Sequence, residues 1–398
     1  MKILRVAGDL YPSFVGGIAI HAHEMSKMQA SMGHEVTVYT SIWDDEPLEE
    51  VRDNYRIFRF RGITIFRNPI APSLFYNLSR ERNKYDIIHA HSHLYSSTVF
   101  CAFMKIIGSS PLVITNHGLI SSIAPMWIQK LYIPTVARWV YRISDKIICY
   151  TETEQDRLID LGVNAEKISV IHNGVDTDHF APLANIPAKN QILWIGKYVP
   201  GKGVEYLLRG FQLFSREFPD YTLLMIGRGP QKDDCTKMIE DLGLNEKVIL
   251  RDFVDNKDLP EIYQQSSLFV LPSLMEGVPR TILEAMACGV PVACTELPQL
   301  VKIVSGCGLL FPPKDPKALA AALSTLVSDH EMAQGCGRNG RKKAVSTYSW
   351  SDTVSKTLDL YSSLIGERAV DKSHDRGEGY FKCLSKDSSD PYCGKTAK

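Results

Sequence analysis

Short apolar runs recur along this chain with helical segments between them, and they form two successive series. The first comprises Lys2–Ala7, Glu35–Thr40, Ile57–Phe60, Ile63–Phe66, Ile87–Ala90, Leu112–Thr115, Lys146–Tyr150 and Ile168–Ile171. The second comprises Ile192–Ile195, Thr222–Ile226, Lys247–Leu250, Leu268–Leu271 and Val290–Ala293, followed by helices near Lys317–Leu326 and Thr353–Leu364. Apolar runs of this kind suit strands buried on both faces, and their alternation with helices implies a doubly wound parallel sheet in each series. A polar, proline-bearing stretch at Ala181–Asn190 reads as a linker, which predicts domains over 1–184 and 185–366, the last helix free to pack back on the first domain. The 398 residues suffice for two such cores. After Gly366 the chain is polar and aperiodic, so 367–398 is expected to be a disordered tail. Two consecutive α/β halves leave one natural ligand site, the cleft at the carboxyl ends of both sheets.

Within the second series, Leu271–Val292 reads LPSLMEGVPRTILEAMACGVPV. Pro272, Gly277 and Pro279 keep the backbone irregular after the Leu268–Leu271 strand, and a helical spacing of apolar residues then runs from Arg280 to Ala287. Gly289 and Pro291 end that helix. Free amides and the positive end of the helix dipole collect where the loop meets the helix, which suits a phosphate. Glu276 and Glu284 flank that point. Carboxylates accept hydrogen bonds and donate none, so beside a phosphate they suit hydroxyl groups, which a nucleotide sugar carries at both ends of its diphosphate.

Embedded in EGVPRTILEAMACGVPV, this acid pair resembles the retaining glycosyltransferases of the GT-B fold, family 4 type. The resemblance implies an α/β fold of two doubly wound, Rossmann-like domains facing each other across a cleft. It implies transfer of a sugar from a nucleoside diphosphate sugar to a hydroxyl acceptor, with no metal required and no cofactor beyond the donor itself. By the same resemblance Glu276 contacts the donor sugar, Glu284 contacts the ribose, and the amides of Gly277, Val278, Pro279, Arg280 and Thr281 form the loop around the diphosphate, proline lacking an amide hydrogen.

Further loops extend the comparison. Gly196–Gly203 (GKYVPGKG) fits a GxxxxGK phosphate loop, but Gly203 stands where that motif needs a magnesium-binding hydroxyl. The family's own basic loop is the better resemblance, with Lys202 at its lysine and Lys197 where arginine is usual, a point charge in place of a two-pronged fork. Gly16 and Gly17 with His21 resemble GGxxxH, a loop that reaches the diphosphate or the acceptor. His117, in Thr115-Asn116-His117-Gly118, matches the family histidine near the reacting centre. Arg228, between Gly227 and Gly229, matches a loop near the nucleotide base. His89, His91 and His93 alternate on one strand but lack a Cys or Asp to complete a metal site, and the resemblance puts His91 near the acceptor. Asn173-Gly174-Val175-Asp176 reads as architectural, and Cys288 as a buried, inert thiol. The catalytic set expected is therefore His117, Glu276 and Lys202. The rival readings are a GT-B sugar-nucleotide epimerase and a P-loop nucleotidase.

Basic and acidic residues balance at 45 each, which gives no global argument for nucleic acid. Nine scattered cysteines without a CxxC pair fit reduced thiols in the cytoplasm, and no apolar run is long enough to span a bilayer. Met126–Ile143 mixes Trp127, Tyr132, Trp139 and Tyr141 with Lys130, Arg138 and Arg142. A helix pair broken at Pro134 and packed on the core is the favoured reading, with peripheral contact at the inner face of an anionic membrane as the alternative. In that case a lipid-linked acceptor joins sugar and small-molecule hydroxyls as candidates.

Overall fold

A computed structural model describes residues 1–384 except 15, 44, 67, 121–123 and 184–188, with side chains as far as residue 367. The N-terminal half runs β1 (Lys2–Val6), α1 (Gly17–Ser31), β2 (Glu35–Ser41), β3 (Glu49–Arg52), β4 (Tyr55–Phe60), β5 (Ile63–Ile65), β6 (Asn68–Ile70), α2 (Pro72–Glu81), β7 (Ile87–His91), α3 (Ser96–Ile107), β8 (Leu112–Thr115), α4 (Met126–Tyr132), α5 (Arg138–Ile143), β9 (Lys146–Cys149), α6 (Glu152–Asp160) and β10 (Ile168–Val170). Its sheet has the order β10-β9-β8-β7-β1-β2-β4-β3, parallel except for β3 against β4. The order reverses direction at β1. Because parallel crossovers are right-handed, α1 lies on one face while α2, α3 and the α4–α5 segment lie on the other.

The C-terminal half runs β11 (Lys189–Ile195), α7 (Val204–Glu217), β12 (Thr222–Ile226), α8 (Lys232–Asp241), β13 (Val248–Arg251), α9 (Leu259–Gln265), β14 (Ser266–Leu271), α10 (Arg280–Ala287), β15 (Val292–Thr295), α11 (Pro298–Val304), β16 (Gly308–Phe311), α12 (Pro316–Ser328), α13 (His330–Thr347) and α14 (Trp350–Leu384). Its six-stranded sheet, β13-β12-β11-β14-β15-β16, is parallel throughout. Leu193, Phe269 and Val292 pack with α10 on one face; Trp194, Val270 and Ala293 pack with α7 and α12 on the other.

Four expectations need correction. Ile63–Phe66 does not join the large sheet; Ile63–Ile65 pairs antiparallel with β6 in a separate hairpin. Part of the expected linker is strand, since β11 begins at Lys189, and 184–188 lie outside the described residues. Pro134 does not break the helix: a π-helical turn at Ile133–Ala137 joins α4 to α5 and absorbs the missing amide. The tail expected from 367 begins as helix, because α14 continues to Leu384; Glu367, Arg368, Ala369 and Lys372 are good helix formers with no intervening proline. Residues 385–398 lie outside the described residues.

The last helix does return to the N-terminal half. Tyr361 and Leu364 share a buried cluster with Ile3, Ala7 and Ala22, and Val354 packs on Met25. The crossing is tied by a bridge in which Val175 donates to the Tyr348 carbonyl and accepts from the Trp350 amide.

Candidate active site in the interdomain cleft

The C-terminal wall of the cleft begins with two neighbouring strands. β11 and β14 are paired, so the loops leaving their carboxyl ends meet. Gly203, which opens α7 at φ +67°, lies so close to the loop after β14 that a Cβ there would stand 2.0 Å from the Pro272 carbonyl oxygen. The Leu274 amide donates to the Gly201 carbonyl at 2.8 Å. This contact carries Lys202 onto Glu276, with Nζ 2.5 Å from Oε1. The Gln299 side-chain amide donates to the Glu276 carbonyl at 2.5 Å and holds the loop from the α11 side.

Pro279 precedes α10 and no side chain caps that helix, so its first amides remain available. Glu284 is buried, accepting from the Tyr263 hydroxyl at 2.9 Å and facing the Arg280 guanidinium at 3.4 Å. The Tyr263 phenol is held well above its usual range by burial and by the Glu284 charge, so it remains a donor. Arg280 Nε and Nη1 are buried without a hydrogen-bond partner. Its charge reaches across to His21 and Glu24 on α1, which places it at the face between the two halves. Lys197 and Arg228 are exposed on the loops after β11 and β12, the latter with its guanidinium 5.7 Å from the centre of the Phe253 ring.

The opposite wall is a chain of rings. His117 leaves the end of β8 and faces His91 of β7, Nε2 to Nδ1, at 3.1 Å. Arg5, fully buried on β1, donates from Nε to His91 Nε2 at 3.2 Å. Because a guanidinium only donates, His91 must carry its hydrogen on Nδ1 and give it to His117 Nε2. His117 Nδ1 then donates to the Tyr150 hydroxyl at 3.0 Å. Burial lowers His91 and His117 well below the ordinary histidine range, and lowers His21 to about 3, so these rings are neutral at pH 7. His21 Nδ1 lies 2.9 Å from the Asn173 side-chain oxygen, which gives the Asn173-Gly174 turn a polar contact beyond its architectural part.

The other two strand histidines are used structurally. His89 lies between the Tyr361 hydroxyl and Thr115, and His93 meets the Tyr141 hydroxyl. Gly16 sits at the start of α1 without a side-chain cap, and a Cβ on Gly17 would meet nothing within 4 Å. Between the walls, Glu154 lies 3.9 Å from where a Gly277 Cβ would be, and Lys302 pairs with Glu152 at 3.2 Å. Burial raises the Glu154 carboxyl, which also accepts from the Tyr150 amide at 2.9 Å.

The structure thus joins Lys202, Glu276, Arg280 and Glu284 on one loop–helix unit, and His91 and His117 at the facing sheet edge beside His21 of α1. It leaves Lys197 and Arg228 exposed at the rim. Sequence reasoning missed Arg5, Tyr150, Glu154, Tyr263 and Gln299. Only Arg5 left a local trace, as a charged residue inside an apolar strand.

Two family models divide most of the chain between them: Glycosyltransferase Family 4 matches residues 15–179, and Glycosyl transferases group 1 matches 176–343. An uncharacterized glycosyltransferase of Methanocaldococcus jannaschii is 26% identical over 394 residues, spanning 91% of this chain and 98% of that protein. The MMP alpha-(1->4)-mannosyltransferase of Mycolicibacterium hassiacum is 25% identical, spanning 89% and 96%. Among solved structures, sucrose-phosphate synthase from Thermosynechococcus elongatus superposes with a TM-score of 0.78 at 22% identity, over 92% of this chain and all of that one. HepE of Anabaena, solved with UDP and glucose, gives 0.76 at 20% identity, over 91% and 100%. With the strand–loop–helix unit at Glu276 in place and both halves matched, the chain belongs to the family 4 glycosyltransferases and is a transferase of the GT-B fold.

Proposed function

We propose that the chain transfers a sugar from a nucleoside diphosphate sugar to a hydroxyl acceptor in the cytoplasm, with retention of the α configuration and without a metal ion. The observation that carries this reading is the meeting of Lys202 and Glu276 at the uncapped start of α10. One ammonium group, the free amides of the 277–281 loop and the unpartnered Arg280 donors provide a cationic seat suited to a diphosphate. Glu284 offers acceptor oxygens to a ribose, while Glu276 and neutral His117 face the sugar. Residues 1–184 form the acceptor side and 185–366 the donor side. The UDP and UDP-glucose complexes of HepE support a nucleotide donor. The exposed apolar side chains of α4 favour a lipid-linked acceptor over a sugar or a small-molecule hydroxyl.

In the chemical step the bond from the anomeric carbon to the diphosphate oxygen breaks, and a bond to the acceptor oxygen forms on the same face. The acceptor proton passes to the departing phosphate oxygen. Negative charge grows on that diphosphate, so donors fixed beforehand by the fold lower the barrier.

Lys202→Ala should weaken nucleoside diphosphate binding by about ten- to a hundredfold while sparing the nucleoside, the loss of one charge-assisted contact. Glu276→Gln should lower turnover more than it lowers diphosphate affinity. Calorimetry with nucleoside and diphosphate, and NMR of the product anomer in chelator, test the reading. Equal affinity for the two ligands, or an inverted product, would overturn it. An altered sugar nucleotide released with no acceptor present would replace transfer by epimerisation.

A further inference from the structure

The outer face of the N-terminal half is built the wrong way round for water. On α3 the side turned to the sheet holds Ser97, Thr98, Cys101 and Ala102, whereas Phe103, Ile106 and Ile107 face outward at helical spacing. On α4, Trp127 and Leu131 stand one turn apart and are 72% and 67% exposed. The β5–β6 hairpin adds Ile63, 75% exposed. Of the described large apolar side chains that are exposed, 12 of 23 fall between Ile63 and Leu131. Scattered exposed apolar residues are ordinary, but concentration on one face is not.

These elements form one surface. α2 packs on α3 through Phe75 and Phe100, and α3 on α5 through Phe103 and Trp139, with ring centres 5.1 and 4.8 Å apart. The hairpin is pinned to the start of α3 by Asn68, which accepts from the Ser96 amide and donates to the Leu94 carbonyl. The Tyr132 hydroxyl ties α4 to the His93 carbonyl in the same loop.

Charge is just as uneven. Residues 54–144 contain eleven Lys and Arg and two acids, Glu81 and Asp86, in a chain whose totals balance at 45 each; of the eleven, Arg59 is paired with Glu46 and Glu50, and Lys105 with Asp145, from outside that span. Glu81 is occupied by the Tyr39 and Tyr85 hydroxyls and by Lys84. Arg61, Arg80, Lys130 and Arg142 are exposed.

From this geometry we infer that the outer face of the α2–α3–α4 layer, with the β5–β6 hairpin, docks on an anionic lipid bilayer. Aromatic and aliphatic side chains enter the headgroup boundary while the surrounding cations meet lipid phosphates. A second copy of the chain is a poor occupant, because a two-fold interface would set this cationic face against itself. A nucleic acid would satisfy the charges and leave Trp127, Leu131 and Ile106 in water. The face lies on the domain that holds the acceptor side of the cleft. The inference rests on the surface alone and stands apart from the donor chemistry.

The test is flotation of the full chain with vesicles of phosphatidylcholine alone and of phosphatidylcholine mixed with phosphatidylglycerol. Binding is expected on the mixed vesicles, falling as salt is raised. Trp127→Ser with Leu131→Ser, and separately Arg80→Glu with Lys130→Glu, should each reduce it by roughly tenfold or more. Melting temperature and nucleoside diphosphate binding, measured on the same preparations, should not change. These readouts separate a failure of docking from a failure of the donor site. No flotation on the mixed vesicles, equal flotation on both kinds, or variants that float like the parent would overturn the inference. So would a soluble dimer abolished by the same substitutions.

Discussion

At the scale of single residues, the cleft combines charges that are paired with rings that are kept neutral. Lys202 and Glu276 hold each other, so on the proposed function a diphosphate would not recruit a free lysine but would give a paired one a second anionic partner. On the facing wall, burial is the main reason that His21, His89, His91, His93 and His117 stay unprotonated, and the Arg5 charge adds to it for His21, His89 and His91. This has a measurable consequence. In the folded chain each of these rings binds its proton only well below the ordinary value of 6.5, while in the unfolded chain it binds near that value. Between the two the unfolded state holds more protons, so stability is complete above about pH 6.5 and lost as pH falls below it. Each ring adds a slope on the order of 1.4 kcal/mol per pH unit across that window. Urea midpoints at several pH values should drop steeply on the acid side, corresponding to uptake of more than one proton. A flat stability profile down to pH 5 would mean the histidines are solvated.

At the scale of elements, the β11 and β14 loops and α10 act as one unit, and Gly203 is its tightest point. A Cβ at this residue meets a carbonyl oxygen at 2.0 Å from a left-handed backbone, and backbone cannot yield as a flexible side chain would. Gly203→Ala is therefore expected to cost about 2–4 kcal/mol, combining overpacking with positive-φ strain, and to weaken diphosphate binding because Lys202 is the adjacent residue. Melting curves and calorimetry check both; a variant with parental stability and affinity would show that the loop contact is loose. Much of this element was legible in the sequence. Arg280–Ala287 is helical over the span that its apolar spacing predicts, because local periodicity and terminal glycine agree there. The helix α13 was not legible: Gly335, Gly337 and Gly340 lower its helical propensity. It forms because Gly337 lets it approach the Gly289 carbonyl and Gly340 lets it lie on Met286, contacts made by residues far apart in the chain. The same limit hid Arg5, Tyr150 and Tyr263, whose roles depend on partners from other strands and helices. Glu276, Glu284 and Lys202 could be picked out as candidates because characteristic residues stand next to them in the two loops and in α10.

At the scale of the whole molecule, the two halves are joined by more than the covalent connection near 171–188. α14 leaves the C-terminal half at Trp350 and buries Val354, Tyr361 and Leu364 against the other one. Trp350 itself lies over His21, ring centres 5.1 Å apart, so the returning helix also supports the histidine wall of the cleft. Tyr361 meets His89 and perturbs Arg5, which places a C-terminal side chain inside the N-terminal polar network. Among the residues whose side chains are described, the contacts run as far as Ile365. Stability should therefore depend sharply on where the chain is cut. A chain ending at residue 367 retains every one of these described contacts and is the reference for a deeper cut. A chain ending at residue 349 exposes the Ile3, Ala22 and Tyr55 cluster and loses the cover over His21. Removing three large buried side chains at about 2–5 kcal/mol each exceeds or consumes much of the stability of an ordinary domain. That shorter chain should aggregate or melt well below the parent, and its N-terminal half should lose protection in hydrogen exchange first. Equal melting of the two truncations would mean that α14 only rests on the N-terminal half, and the histidine wall would then have to be held by its own sheet.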